Sequence, residues 1–220
     1  MADWAIIFDV DGVLLELTRD EEEIFFTALS KYVPTENLSR DWNSYRIRND
    51  DDIIAEILER NDLPLTYKAN IMNHYVKSLE AALQNTLQSV EIKGAKPLLH
   101  HLSNRATLGI ATANLKAAAS LRLQQTGLWP LVSNHAEGAD GGGHKSKILA
   151  RLLSRMKMPR SQVIFIGDNI NDVEAGLDNG VHFIGFSTHA DRRAVLQSHG
   201  ARHISANHSE TFTLLQGLMA

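Results

Sequence analysis

Ile6-Ile7-Phe8-Asp9-Val10-Asp11-Gly12-Val13-Leu14 is the stretch whose reading decides the fold. An apolar run stops abruptly at two aspartates flanking one valine, and a glycine follows. Two negative charges at the edge of an apolar core are costly unless a cation binds them. Magnesium suits the place, because it is hard, prefers oxygen ligands and bridges carboxylates to phosphate. A second stretch, Val163-Ile164-Phe165-Ile166-Gly167-Asp168-Asn169-Ile170-Asn171-Asp172, repeats the design. The two strand ends meet if both strands lie in one parallel sheet, since open α/β sheets carry their sites at the carboxyl ends of strands. Asp9, Asp11, Asp168 and Asp172 would then share one small volume.

The rest of the pattern supports such a sheet. Ala106–Ala111, Val163–Ile166 and Val181–Gly185 read as strands, and Leu115–Gln125, Ile148–Met156 and Val173–Asn179 as helices. Alternation of this kind argues for right-handed crossovers on a parallel sheet. Between Glu22 and Leu87 the spacing is helical instead. Ile24, Phe25, Ala28, Leu29 and Tyr32 recur at three and four, as do Ile53, Ile54, Ile57 and Leu58. Asn49 to Asp52 offer an N-cap and first-turn acids, and Leu65 to Leu83 gives one longer amphipathic stretch. The fold expected is α/β, a Rossmann-like parallel sheet with an inserted α-helical cap. Residues 1–15 and 90–220 form the core, and 16–89 the cap. Gly141-Gly142-Gly143 is the one flexible punctuation mark, just before a helix starting near His144 or Lys145.

Bulk properties exclude several classes. The chain has 220 residues, 44% hydrophobic and 22% charged, with a formal net charge of −4. No basic block points to nucleic acid, and no apolar run approaches a membrane span. Cysteine is absent, which excludes thiolate metal sites and fits a cytoplasmic location. The ten histidines are scattered without metal-ligand spacing and read as surface or structural.

Three segments carry a family resemblance. Asp9-Val10-Asp11-Gly12-Val13 resembles the first motif of the haloacid dehalogenase superfamily. Leu108-Gly109-Ile110-Ala111-Thr112-Ala113-Asn114 is similar to its second, and Gly167-Asp168-Asn169-Ile170-Asn171-Asp172 to its fourth. Thr112-Ala113-Asn114-Leu115 and Gly127-Leu128-Trp129 resemble the phosphoglycolate-phosphatase-like branch, which has a helical cap. The resemblance implies a magnesium-dependent phosphatase that works through an aspartyl-phosphate. Asp9 would be the nucleophile and Asp11 the general acid and base. Gly12 would permit close backbone approach. Thr112 and the Ala113 N–H would donate to the phosphoryl group. Asp9, the Asp11 carbonyl and Asp168 would hold the magnesium, with Asp172 a further ligand or an orienter through water; Asp172 also reads as a helix N-terminal acid. Asn114 is a helix cap or a phosphate contact.

The family also requires a lysine between its second and fourth motifs, and the usual Lys-Pro is missing here. Lys145 and Lys147 compete for the role. Lys145 stands at the helix start and matches the family position better, while Lys147 is read as facing solvent. In the cap, Arg46, Arg48 and Asn49 resemble the substrate-facing turn, where an arginine can fork onto a carboxylate or phosphate. The same arginines also read as solvated helix-end charges. The substrate expected is a small phosphorylated metabolite. A phosphomutase or phosphotransferase would share every core residue, and a non-catalytic binding protein could keep the scaffold. A dehalogenase gives Asp11 no role, and phosphonate cleavage uses a cap lysine instead of the second aspartate.

Overall fold

The computed structural model describes residues 3–220. Six parallel strands form one sheet in the order β3-β2-β1-β4-β5-β6. They are β1 (Ala5–Phe8), β2 (Thr107–Ala111), β3 (Ala136–Glu137), β4 (Val163–Gly167), β5 (His182–Phe186) and β6 (His203–Ser205). Every residue of β1 and β4 is buried. A central strand covered on both faces has no solvent side, which is why these segments read as unbroken apolar runs. Two short edge strands, β3 and β6, were not apparent in the sequence. Two or three residues are too few to set up a period-two pattern.

The helices follow the crossovers. In the core they are α4 (Ala95–Leu102), α5 (Lys116–Gln125), α6 (Trp129–Val132), α7 (Lys145–Met156), α8 (Ile170–Asp178), α9 (Ala190–Ser198) and α10 (His208–Leu218). Leu98, Leu99, Ala119, Leu123 and Leu215 pack with Ile6, Phe8 and Ile110 in one apolar layer. Ile148, Leu149, Leu152 and Val173 pack with Ile7 and Phe165 in the other.

Three helices lie between β1 and α4: α1 (Arg19–Leu29), α2 (Asp50–Arg60) and α3 (Lys68–Asn85). They gather around an apolar cluster of their own, with Phe25, Phe26, Ile53, Ile57, Ile71, Tyr75 and Leu79 inside. Leu115 and Ala118, at the start of α5, belong to that cluster too. The chain leaves and re-enters the sheet side by side. Glu16 N–H donates to the Val90 carbonyl at 2.9 Å, and Ile92 N–H to Leu14 at 3.0 Å.

Register fixes where the chemistry gathers. Phe8 pairs with Ile110 on one side and Ile166 on the other. The residues just beyond these strands, Asp9, Thr112 and Asp168, therefore emerge at one edge. Strand order reverses direction around β1, and a crevice opens at such a point.

At the start of α10, His208 is 3% exposed and stacks on Phe186 with centroids 4.5 Å apart. Its Nε2 lies 2.9 Å from the Val13 carbonyl, so Nε2 carries the proton, and the buried Nδ1 has no partner. Burial pushes the imidazole down to about 4, against the weaker opposing effect of the Val13 hydrogen bond. The unfolded chain binds a proton near 6.5 that the folded one refuses, so stability is lost as pH falls from 6.5 towards 4. The loss is up to roughly 3 kcal/mol at ~1.4 kcal/mol per pH unit. Between pH 7 and pH 5 the raised carboxyls of Asp50 and Asp168 act in the opposite sense, so the His208 contribution is read as the difference between wild type and variant in the urea-midpoint shift over that range. His208→Gln, whose amide nitrogen reaches the position of Nε2 but does not titrate, should remove the His208 part of the pH dependence; an unchanged pH dependence would remove His208 as the cause.

Candidate active site

A cavity of about 470 Å³ opens over the carboxyl edge of β1, β2 and β4. Its floor comes from the sheet, with Asp9, Asp11, Thr112, Lys145, Asp168 and Asp172. Its roof comes from the helical insertion, with Phe25, Trp42, Arg48, Asn49, Asp50 and Tyr75.

Asp9 is buried at the end of β1, and its Oδ1 accepts from Val10 N–H at 2.8 Å. The Lys145 ammonium lies 2.7 Å from the same oxygen. Lys145 is the first residue of α7 and its side chain is 5% exposed, whereas Lys147 is exposed. Burial alone would lower the lysine, but Asp172 and Asp9 outweigh it and hold its pKa above the ordinary value. Asp172 Oδ2 accepts from Asn169 N–H at 3.0 Å, closing a capping box on α8. Its Oδ1 faces the lysine at 2.9 Å, an ion contact made off the hydrogen-bond axis, since that buried oxygen has no hydrogen-bond partner. Asp172 is thus the helix N-terminal acid of α8, with its other oxygen turned towards Lys145.

Glycine makes this crowding possible at two points. Gly12 sits at φ +76°, and a Cβ there would meet the Asp168 carboxylate at 2.4 Å. A Cβ on Gly167 would meet Asp172 Cβ at 2.2 Å. Gly12 must be bare for the two acidic loops to close on each other, and Gly167 for the second loop to fold back over its own strand end.

Negative charge is in excess. Asp9, Asp168 and Asp172 each bring an oxygen within 4.8 Å of the others. Burial raises Asp9 well above its usual value, and Asp172 and Asp168 add to this against the pull of Lys145. Asp168 is raised to about 7 by burial and by Asp172, with Arg192 and Lys145 opposing. An all-oxygen donor set in which three converging carboxylates face one ammonium fits a hard divalent cation such as magnesium.

Thr112 and Asn114 stand together beyond β2. The Thr112 hydroxyl donates to Asn114 Oδ1 at 3.2 Å, and Asn114 N–H donates back to that hydroxyl at 3.2 Å. Leu115, not Asn114, precedes α5, and no side chain caps that helix. The cap reading of Asn114 therefore fails, and its side chain lines the cavity instead. Ala113 also lines the cavity, and its carbonyl accepts from Asp50 N–H at 3.0 Å.

The cap arginines part company. Arg46 was expected to face a substrate, but its side chain is 66% exposed and pairs with the exposed Glu59 and, more loosely, with the buried Glu56 of α2. It does not line the cavity, because the carboxylates of Glu59 and Glu56 hold it away. Arg48 does line the cavity, donating to Asn43 at 2.9 Å and to Asn171 at 2.5 Å. Asn49 caps α2 by accepting from Asp52 N–H at 2.8 Å. Its amide donates to the Gly143 carbonyl at 2.9 Å, and Gly143 N–H donates to Asp52 at 2.6 Å. So Asn49 fastens the triple-glycine loop before Lys145, although its side of the helix also borders the cavity.

Sequence reasoning missed two buried groups. Asp50 is 6% exposed, and its Oδ2 accepts from Leu115 N–H at 2.7 Å. Burial raises it to about 7 against that hydrogen bond. Arg122 lies inside α5, on the same stripe as Ala118, Ala119 and Leu123. An arginine on an apolar helix stripe was the signal available. It donates to Asp11 and to Glu21, each at 2.7 Å. Burial would lower its pKa, but Asp11 and Glu21 hold it above the ordinary arginine value.

The model of the haloacid dehalogenase-like hydrolases matches residues 6–186. The chain belongs to the haloacid dehalogenase-like hydrolase family. Solved structures share the fold at low identity. A predicted phosphatase from Clostridium acetobutylicum superposes with a TM-score of 0.72 at 18% identity, over 99% of this chain and 100% of that one. CbbY from Rhodobacter sphaeroides, in complex with xylulose-(1,5)bisphosphate, gives 0.70 at 17%, over 96% of each chain. A hydrolase of the family from Deinococcus radiodurans, with bound phosphate and sodium, gives 0.63 at 19%, over 99% and 96%. No curated protein matches the sequence. Among the described residues no helix is long and apolar enough to cross a membrane.

Lys145 offers a direct test within this family site. Lys145→Ala strips Asp9 and Asp172 of their shared cation and should lower kcat/KM for p-nitrophenyl phosphate about 10²–10³-fold, the scale of losing one electrostatic stabiliser. Lys147→Ala should change little. The reverse order would mean that the loop presents the other lysine during turnover.

Proposed function

We propose that this protein is a magnesium-dependent phosphomonoesterase acting on a small phosphorylated metabolite through an aspartyl-phosphate. The observation that carries the reading is the Asp9–Lys145 contact of 2.7 Å, on the floor of a roofed cavity shared with Thr112 and Asp168. With Oδ1 engaged by Val10 and Lys145, Oδ2 of Asp9 is the oxygen free to attack phosphorus. Asp11 gives the departing alkoxide its proton and then takes one from the water that opens the acyl-phosphate. Thr112 and the Ala113 N–H donate to the phosphoryl oxygens, and Lys145 neutralises them. Asp9, Asp168, Asp172 and the Asp11 carbonyl would hold magnesium, whose bound charge lets an anionic nucleophile meet an anionic ester. We place the cap at residues 16–89, where the Arg48 side chain meets what enters and the roof excludes water.

The cavity volume limits the substrate to small molecules. Neighbours of the same fold are described with phosphate or a sugar bisphosphate bound, which supports a phosphorylated ligand. Resemblance to the phosphoglycolate-phosphatase-like branch makes phosphoglycolate the first natural compound to try. The test is release of inorganic phosphate from p-nitrophenyl phosphate and from a panel of metabolite phosphates, with magnesium and with EDTA. Release that needs the metal supports the reading. Phosphoryl transfer to another substrate, with none to water, would assign the site to a mutase or phosphotransferase.

A further inference from the structure

Arg122 is the largest fully buried side chain of the described residues, 2% exposed, and it is a cation on a helix otherwise packed by alanine and leucine. Its fork is fully used. Nε donates to Glu21 Oε1 at 2.7 Å and Nη2 to Glu21 Oε2 at 3.1 Å. Nη2 also donates to the Glu16 carbonyl at 2.9 Å. Nη1 turns the other way, to Asp11 Oδ1 at 2.7 Å and, more weakly, to Asn114 Oδ1 at 3.4 Å. Glu21 is itself buried, in the first turn of α1, and closes a capping box with Thr18.

Burying a guanidinium costs several kcal/mol unless a carboxylate and further hydrogen bonds compensate it. Glu21 already supplies that compensation with a bidentate contact. A plain staple between α5 and the cap would need nothing more, so the Asp11 contact requires its own account. Asp11 is partly exposed to the cavity, and its side chain would otherwise have rotamers to choose from. Arg122 takes one oxygen, and among the described residues no protein donor reaches the other.

We infer that Arg122 is a positioning residue for Asp11, set through α5 and braced by Glu21 of the cap. It rests on the phosphatase reading above and deepens it. As Asp9 bonds to phosphorus, the ester P–O bond breaks, and its electron pair takes the proton carried on Asp11 Oδ2. The carboxylate left behind stays on Arg122, aimed at the place where water must next lose a proton. Holding one oxygen fixes the direction of the other, and misplacement by an ångström is enough to lose proton transfer.

The test uses the full-length protein with magnesium and two esters, glycerol 2-phosphate and p-nitrophenyl phosphate. Lysine keeps the charge but not the fork, so Arg122→Lys can serve Glu21 or Asp11 and not both. It should lower kcat for glycerol 2-phosphate about 10²-fold with KM little changed, the scale of general acid catalysis. For p-nitrophenyl phosphate, whose leaving group barely needs a proton, the first-turnover burst of nitrophenolate should slow only a few-fold, although steady turnover then waits on the same base step. Added to Asp11→Asn, Arg122→Lys should cost nothing further. Equal slowing of the first turnover on both esters, or a further loss on the Asp11→Asn background, overturns the inference and leaves Arg122 a structural staple. If Arg122→Lys does not fold, Arg122→Met with Glu21→Gln removes both halves of the buried pair and carries the same comparison. A wild type inactive on both esters defeats the phosphatase reading instead, and this inference with it.

Discussion

Asp9→Asn should abolish turnover of every phosphomonoester while the protein stays folded. The amide matches the carboxylate in shape but is a poor nucleophile, so the covalent step has no substitute. Lys145 keeps Asp172 as a partner, so the change does not strand a buried ammonium. It removes one of three carboxylates converging on one small volume. Buried like charges without a bound cation destabilise a fold, so the urea midpoint of Asp9→Asn in EDTA should equal or exceed that of the wild type. Activity would be read as phosphate release at high enzyme concentration, with trapped phosphoenzyme sought by mass spectrometry. Turnover near wild type would take the nucleophile role from Asp9, and a collapsed urea midpoint would make the residue structural.

Asp11→Asn should slow an alkyl phosphate about 10²–10⁴-fold, the range for a lost general acid and base. The defect should shrink for p-nitrophenyl phosphate in the first step, since nitrophenolate leaves unaided. Pre-steady-state kinetics separates the two halves. A burst of nitrophenolate followed by slow release of phosphate is expected, because the base is still missing when water attacks the aspartyl-phosphate. Loss of the burst together with steady-state turnover would mean that Asp11 shapes the site instead of moving protons. Asn at this position can still accept from Arg122 Nη1, so the fold around the guanidinium should hold.

The parallel sheet was legible because β1 and β4 are buried on both faces and so are written as apolar runs that end in acid. The helical insertion was legible because amphipathic spacing is a local property, and α1 and α2 each bury one stripe. Edge strands of two and three residues left no such record. Boundaries moved where caps act: α8 begins at Ile170, earlier than its apolar spacing suggests, because Asn169 and Asp172 close a box there.

Sequence by itself determined which carboxylates stand at strand ends, since motif order and strand periodicity are properties of the chain. Only the tertiary structure decided which long cations reach them. Lysine and arginine have long flexible stems, and their partners lie across the fold. Lys145 rather than Lys147 meets Asp9 because α7 turns it inward. Arg46 is drawn outward by Glu59, while Arg48 stays over the cavity. Arg122 lies 111 positions from Asp11 and 101 from Glu21 along the chain, yet joins both within hydrogen-bond distance. No local pattern encodes such a meeting; the packing of α5 between sheet and cap creates it.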